Sequence, residues 1–306
     1  MNHPVQSPFA LENEATYQRW RDYKLENHAA QLDDLVVELK QTKSLSASEH
    51  AAILERCQKN NMAIYKGNSG DDPDRAIPHY LGRCFGLENL DHNWLGDEDG
   101  LTSLTVADED DATHQHYIPY SNRPIKWHTD GYYNAADKQI QGLLLHCVHP
   151  ASSGGENALL DQEMAYLLLR EKNHEFIQLL MQNDVMTIPP RLNEHDEVVR
   201  RAETGPVFSI NKKTGNLHMR YTIRTHHIIW KEDPATQAAL TALSDILHSD
   251  SPLIFRGKLE SGMGLISNNI LHDRSGFNDA DKPHRLIYRA RYYDRIAGTN
   301  ISDLGF

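Results

Sequence analysis

No glycine-rich phosphate loop follows a strand in this chain, and its strand-like runs do not alternate regularly with helical ones. A doubly wound nucleotide-binding fold is built on both features, so that class is disfavoured. From about residue 100 onward the chain carries short β-rich runs at 101–106, 142–148, 207–210, 217–222, 264–267 and 286–293. The third and fourth flank Lys213-Thr-Gly215-Asn216, a hairpin signal. Helical patterns are inserted at about 161–182, with a break near Asn173, and at 234–248. The pattern predicts a mainly β fold with flanking helices, a β-sandwich or jelly roll.

The first part reads differently. Leu32, Leu35, Val36 and Leu39 stand at helical spacing within 29–41. Ser46 and Glu49 form a capping box that starts a helix running to about Lys59. A strand follows at 62–66, and Asp72-Pro73 opens a further helix that Gly86 stops. With no linker-like tract and no repeat, the expectation is one domain over 1–306: a helical extension to about 60 and a β core over about 61–295.

Composition narrows the function. The net charge of −12 disfavours nucleic acid and anionic membranes, and with them a nucleic-acid demethylase. No apolar run approaches the roughly 18 residues that span a bilayer, and the N-terminus lacks the pattern of a secretory signal. Cys57, Cys84 and Cys147 are odd in number, far apart and outside any CxxC pair. They read as small buried hydrophobes, and a cytoplasmic location is the expectation.

The sharpest local feature is Trp127-His128-Thr129-Asp130. In an extended strand residues i and i+2 share a face, so His128 and Asp130 can reach one metal ion. A distant histidine would complete a two-His-one-carboxylate triad, which leaves positions on iron(II) open for oxygen chemistry. His272, at a strand end after Asn268-Asn269, is the candidate. The other matches are weaker: His248-Ser-Asp250 reads as a helix terminus, and His195-Asp-Glu197 as a solvated loop. Thirteen residues past His272 stands Arg285, with Arg289 four further on. Arginine is the residue suited to bidentate capture of a carboxylate.

Together these residues resemble the taurine dioxygenase-like 2-oxoglutarate oxygenases. The resemblance rests on WHTD at 127–130, Gly154-Gly155-Glu156-Asn157, the Thr-Gly hairpin leading into Leu217-His-Met-Arg-Tyr221, and His272 followed by Arg285 and Arg289. The motifs stand in the family's order over about 60–295. It implies a double-stranded β-helix, a distorted jelly roll, with iron(II) on His128, Asp130 and His272 and 2-oxoglutarate and O2 as cosubstrates. Arg285 would pair with the far carboxylate of 2-oxoglutarate. Arg289 would assist there or meet a substrate anion. Asn157 stands where the family usually has a threonine that contacts the cosubstrate. Related halogenases lack the carboxylate, so Asp130 implies hydroxylation or another oxidation.

Tyr132, Tyr133 and Asn134, directly after the metal strand, Tyr221 and Arg224 after the hairpin, and Asn269 are the candidate substrate residues. Phe277 reads as core packing. If Arg289 faces the pocket, the small-molecule substrate is anionic: a sulfonate, carboxylate or phosphonate. The competing readings are a jelly-roll metalloenzyme that uses no 2-oxoglutarate and a non-catalytic binding module on the same fold. The N-terminal 60 or so residues could serve a homo-oligomer interface.

Overall fold

The computed structural model describes residues 7–92, 96–108, 110–111, 114, 117–193, 195–223, 228–279 and 283–306. Two sheets face each other. The larger runs β1 (Val36–Glu38), β2 (Met62–Lys66), β10 (Met263–Ser267), β5 (Gly142–His149), β12 (Leu286–Tyr292), β3 (Thr102–Leu104). The smaller runs β9 (Phe255–Gly257), β6 (Asn157–Leu160), β11 (Leu271–Arg274), β4 (Ile125–His128). The β1–β2 pair is parallel and the other pairs in the two sheets are antiparallel. The predicted hairpin forms from β7 (Phe208–Ile210) and β8 (Leu217–Met219), which pair antiparallel.

Alternation along the strands sorts the side chains into three apolar layers. Met62, Ile64, Leu143, Leu145, Cys147, Leu159, Phe255, Leu265 and Ile287 fill the space between the sheets. On the outer face of the larger sheet, Ala63, Tyr65, Leu144, Val148, Ile266 and Ala290 pack against helices α2 (Ala47–Asn60) and α3 (Ala76–Cys84). On the outer face of the smaller sheet, Trp127, Ala158, Leu160 and Leu271 meet α4 (Gln162–Lys172), α5 (His174–Leu180) and α6 (Pro234–Leu247). Two of the helix boundaries fall where the sequence signals them. Ser46 and Glu49 complete their reciprocal capping box at α2. Asn173 separates α4 from α5 because its side chain caps the second helix, accepting from Glu175 N–H. Among the described residues no helix is long and apolar enough to cross a membrane.

Two expectations change. The 29–41 stretch is not a helix. One 3₁₀ turn, Leu32–Leu35, leads into β1. Leu35, Val37 and Leu39 are the buried positions, a period of two, because pairing with β2 offers β1 more than an isolated helix would. The N-terminal segment therefore contributes an edge strand to the larger sheet. A helix that the sequence reading did not anticipate, Glu14–Asn27, buries Thr16, Tyr17, Trp20 and Lys24; two of these four are polar, which hides the stripe. The third helix also begins later than Asp72-Pro73, at Ala76.

Candidate metal and cosubstrate site

The register of β4 against β11 sets His128 opposite His272. Their neighbours Trp127 and Leu271 point into the helical layer, so both imidazoles point between the sheets. The ring centroids lie 4.3 Å apart at 50°. Each Nδ1 meets the carbonyl oxygen two residues earlier, His128 on Lys126 at 2.9 Å and His272 on Ile270 at 3.0 Å. A carbonyl only accepts, so Nδ1 carries the proton and Nε2 keeps the lone pair that a metal uses.

The strand stops at His128, and Asp130 is positioned by other means. Thr129 Oγ1 donates to the Met219 carbonyl and accepts from Tyr221 N–H, which clips the metal strand to the β8 hairpin. Asn269 Oδ1 accepts from Asp130 N–H at 2.9 Å, and its Nδ2 donates to the carbonyls of Asp130 and Ile140. Gly131 then turns away at φ +67°, where an added Cβ would run into Ile140. The Asp130 carboxylate meets Arg289, Nη1 to Oδ1 3.1 Å, while its buried Oδ2 has no hydrogen-bond partner. Burial alone would raise its pKa. The Arg289 and Arg291 guanidiniums, and the two histidines after them, outweigh that and hold it well below the usual carboxylate range.

Among the described residues, no three His, Cys, Asp or Glu side chains converge closely enough to enclose a metal as they stand, since Asp130 leans onto Arg289. The donor set nevertheless fits iron(II): two imidazole nitrogens set by backbone carbonyls, and one buried, ionised carboxylate whose second oxygen is unsatisfied.

Arg285, Arg289 and Arg291 fall on the inward face at the neck and along β12, the strand that pairs with β5 through Arg289↔Leu145 and Arg291↔Leu143. Arg285 is buried, its guanidinium 5.1 Å from the Phe277 ring centroid. Burial pulls its pKa down to about 10, so it stays charged at neutral pH. Among the described residues its guanidinium makes no ion pair. Gly155 lies alongside, and Asn157 donates to the Asp273 carbonyl at 2.6 Å, next to His272. Phe277 is more than packing: the Arg274 guanidinium also lies 4.8 Å from its ring centroid and donates to the carbonyls of Ser121 and Arg123. Among the described residues the buried Nε of Arg289 has no hydrogen-bond partner, which leaves a donor to spare beside Asp130.

The substrate candidates separate. Tyr132 and Tyr133 sit half-buried after the metal turn, and Tyr133 Oη accepts from Arg291 Nη1 at 2.6 Å. Asn134 braces its own turn by donating to the Lys138 carbonyl. Asn269 is committed entirely to backbone groups, which makes it a positioning residue rather than a pocket contact. Tyr221, two residues past the end of β8, is buried in the helical-layer core near Trp230. Arg224 lies outside the described residues. His248 caps the end of α6, its Nδ1 on the Ser244 carbonyl, and His195 is exposed in a loop.

Sequence reasoning missed three residues. Thr129 stands inside the WHTD motif and could have been suspected there. Arg220 fastens the Tyr132 turn by donating to the carbonyls of Tyr132, Met186 and Glu203, and it was in view as part of the Leu217–Tyr221 motif. Arg291 pairs with Asp91 at 2.6 Å across 200 residues, and nothing local announces that.

The fold is shared with solved iron-dependent oxygenases. PvcB, an Fe, alpha-ketoglutarate dependent oxygenase from an isonitrile synthetic pathway, aligns at TM-score 0.54 and 13% identity over 85% of each chain. Asparagine oxygenase in complex with Fe(II), 2S,3S-3-hydroxyasparagine and succinate aligns at TM-score 0.57 and 11% identity, over 84% of this chain and 93% of that one. The chain belongs to the taurine catabolism dioxygenase TauD, TfdA family, whose model matches residues 24–291. A uridine-5′-phosphate dioxygenase from Amycolatopsis sp is 28% identical over 181 residues, 57% of this chain. The match spans 62% of that relative's length.

Proposed function

We propose that this chain is an iron(II)- and 2-oxoglutarate-dependent dioxygenase on a double-stranded β-helix, hydroxylating a small anionic molecule with release of succinate and CO2. The winding supports the fold reading: β3, β5, β10 and β12 lie in the larger sheet, and β4, β6, β9 and β11 in the smaller, so the chain crosses between sheets at nearly every step. The observation that carries the activity is the facing pair His128 and His272 beside an ionised Asp130, with an arginine stripe behind them.

In this reading His128, Asp130 and His272 would hold iron, the free Nε2 of each histidine and the Asp130 carboxylate being the available donors. Arg285 clamps the far carboxylate of 2-oxoglutarate, with Asn157 beside it. Bound iron(II) with 2-oxoglutarate would supply the oxidation of a substrate C–H by O2, with succinate and CO2 as coproducts of the hydroxylated product. The chain's own work is placement and exclusion. Leu145, Leu159 and Leu265 give the interior an apolar floor, which keeps water from the oxidant and strengthens the Arg285 clamp. Asn269, Thr129 and Gly131 fix the Asp130 backbone. Tyr132 and Tyr133 line the substrate side. An intact Asp130 leaves no ligand position for a halide, which favours hydroxylation. The relatives named for uridine 5′-phosphate bring a nucleotide into the substrate class.

The test is an anaerobic titration of metal-free protein with Fe(II) and 2-oxoglutarate, followed by visible absorption. A metal-to-cosubstrate charge-transfer band in the parent, absent in His128→Ala and Arg285→Ala, is the expected result. Bound Fe(II) without a band removes 2-oxoglutarate from the reading, and no iron binding removes the enzyme.

A further inference from the structure

Arg191–Leu192 and Val198–Arg200 form a two-stranded ribbon that, among the described residues, hydrogen-bonds to no other strand, with Arg191 and Arg200 directly opposite each other. As structure the ribbon is poorly made. Like charges placed cross-strand repel. Leu192, Val198 and Val199 are large apolar residues left exposed, at 47%, 58% and 54%. Arg200 donates to the carbonyls of Pro189 and Arg201, the second at 3.4 Å, and among the described residues forms no ion pair. Local rules broken together without a gain in packing mark a segment kept for something other than stability.

The two arginines stand by the site. The Arg200 guanidinium lies 6.0 Å from the Tyr133 ring centroid, and Arg291 lies 5.8 Å from the same centroid. Arg291 follows Arg289 on the inward face of β12, and Arg289 holds Asp130. Arg191 lies 5.2 Å from the Tyr117 ring centroid. Arg200 is thus one aromatic ring away from Arg291, and Arg191 stands opposite Arg200 on the ribbon, over a second ring, Tyr117. Tyr133 Oη already accepts from Arg291, so its own proton remains to be donated. In a chain of net charge −12 this is a local concentration of guanidinium groups.

We propose that Arg191 and Arg200, with Tyr133, form a clamp for the phosphate monoester of the substrate at the mouth of the site. A phosphate dianion needs two cationic partners, and arginine's planar fork gives each of them paired donors. Tyr133 adds a neutral donor and a ring face beside Arg200, as Tyr117 does beside Arg191. The clamp rests on the oxygenase reading only for what lies beyond it, since phosphate recognition needs no iron.

The experiment is calorimetric titration with uridine 5′-phosphate, uridine and inorganic phosphate. It is run on metal-free protein and, anaerobically, on protein loaded with Fe(II) and 2-oxoglutarate. Uridine 5′-phosphate is expected to bind at least about 100-fold more tightly than uridine, with inorganic phosphate competing. Arg191→Gln and Arg200→Gln should each weaken it about 10- to 100-fold, the range for a charged hydrogen-bond partner, and leave uridine unchanged. Arg200→Lys should fall between parent and Gln variant. Retention of the charge-transfer band in the variants shows that they are folded. The clamp is overturned if phosphate confers no preference, or if both Gln variants bind uridine 5′-phosphate like the parent. A parent without the charge-transfer band would sink the oxygenase reading alone, because the metal-free titration still decides the clamp.

Discussion

Asn269 shows how a single side chain can prepare a metal site without touching the metal. It adopts φ 52°, a left-handed conformation asparagine tolerates better than most residues, and spends all of its carboxamide on Asp130 and Ile140. Asn269→Ala removes three hydrogen bonds from the segment that carries the carboxylate. Iron(II) affinity, measured by competition with a chelating dye, should fall about 10- to 100-fold, as for other residues that orient ligands. An unchanged affinity would show that Asp130 needs no such support. Gly131 works one residue further along. Gly131→Ala forces a side chain into positive φ and against Ile140, and should lower stability by about 1–3 kcal/mol in urea unfolding.

Among the elements, the first helix is fastened by charge as well as by its buried Tyr17 and Trp20. Lys24 Nζ reaches Asp161 at 2.6 Å and Glu163 at 2.8 Å, with all three side chains almost wholly buried. Asp161 is also the N-cap of α4 and accepts from Asn61. Lys24→Met would leave two carboxylates in the interior without their shared cation. Breaking such a pair costs about 3–5 kcal/mol, so the urea midpoint should drop sharply, while Lys24→Arg should recover part of the loss. This network also explains what the sequence concealed. Helices with conventional signals were legible: the Ser46 box, the Asn173 break, the Pro234 start. The Glu14–Asn27 helix was not, because Lys24 counts as polar until its partners 137 and 139 residues away are known. The Leu32–Leu39 run misled for a related reason, since its spacing satisfies a helix and a strand alike and only β2 decides. At the site, the histidines and Arg285 could be located because each sits in a local motif. Arg289's hold on Asp130, and Arg291's pairing with Asp91, depend on register between distant strands.

At the scale of the whole molecule, acid should weaken the fold through the middle of the larger sheet. His146 lies on β5 between Gly264 of β10 and Tyr288 of β12, fully buried on the helical side. Tyr65 Oη is hydrogen-bonded to its Nδ1 at 2.9 Å, and among the described residues its buried Nε2 has no hydrogen-bond partner. Burial pushes its pKa down to about 4. The unfolded chain takes up a proton at this histidine near pH 6.5 and the folded chain only near 4. Between those values the unfolded state therefore binds more protons, and stability falls as pH falls. The loss from this one group is on the order of 3 kcal/mol and is complete by about pH 4. The net charge of −12 acts the other way over the first part of this range, because protonation relieves self-repulsion. The histidine's share is therefore read by difference. Urea unfolding of the parent and of His146→Gln at several pH values between 7.5 and 4 should show a shallower loss in the variant. Parallel curves would mean that His146 is not the group through which acid acts, since a glutamine at the same position cannot take up the proton.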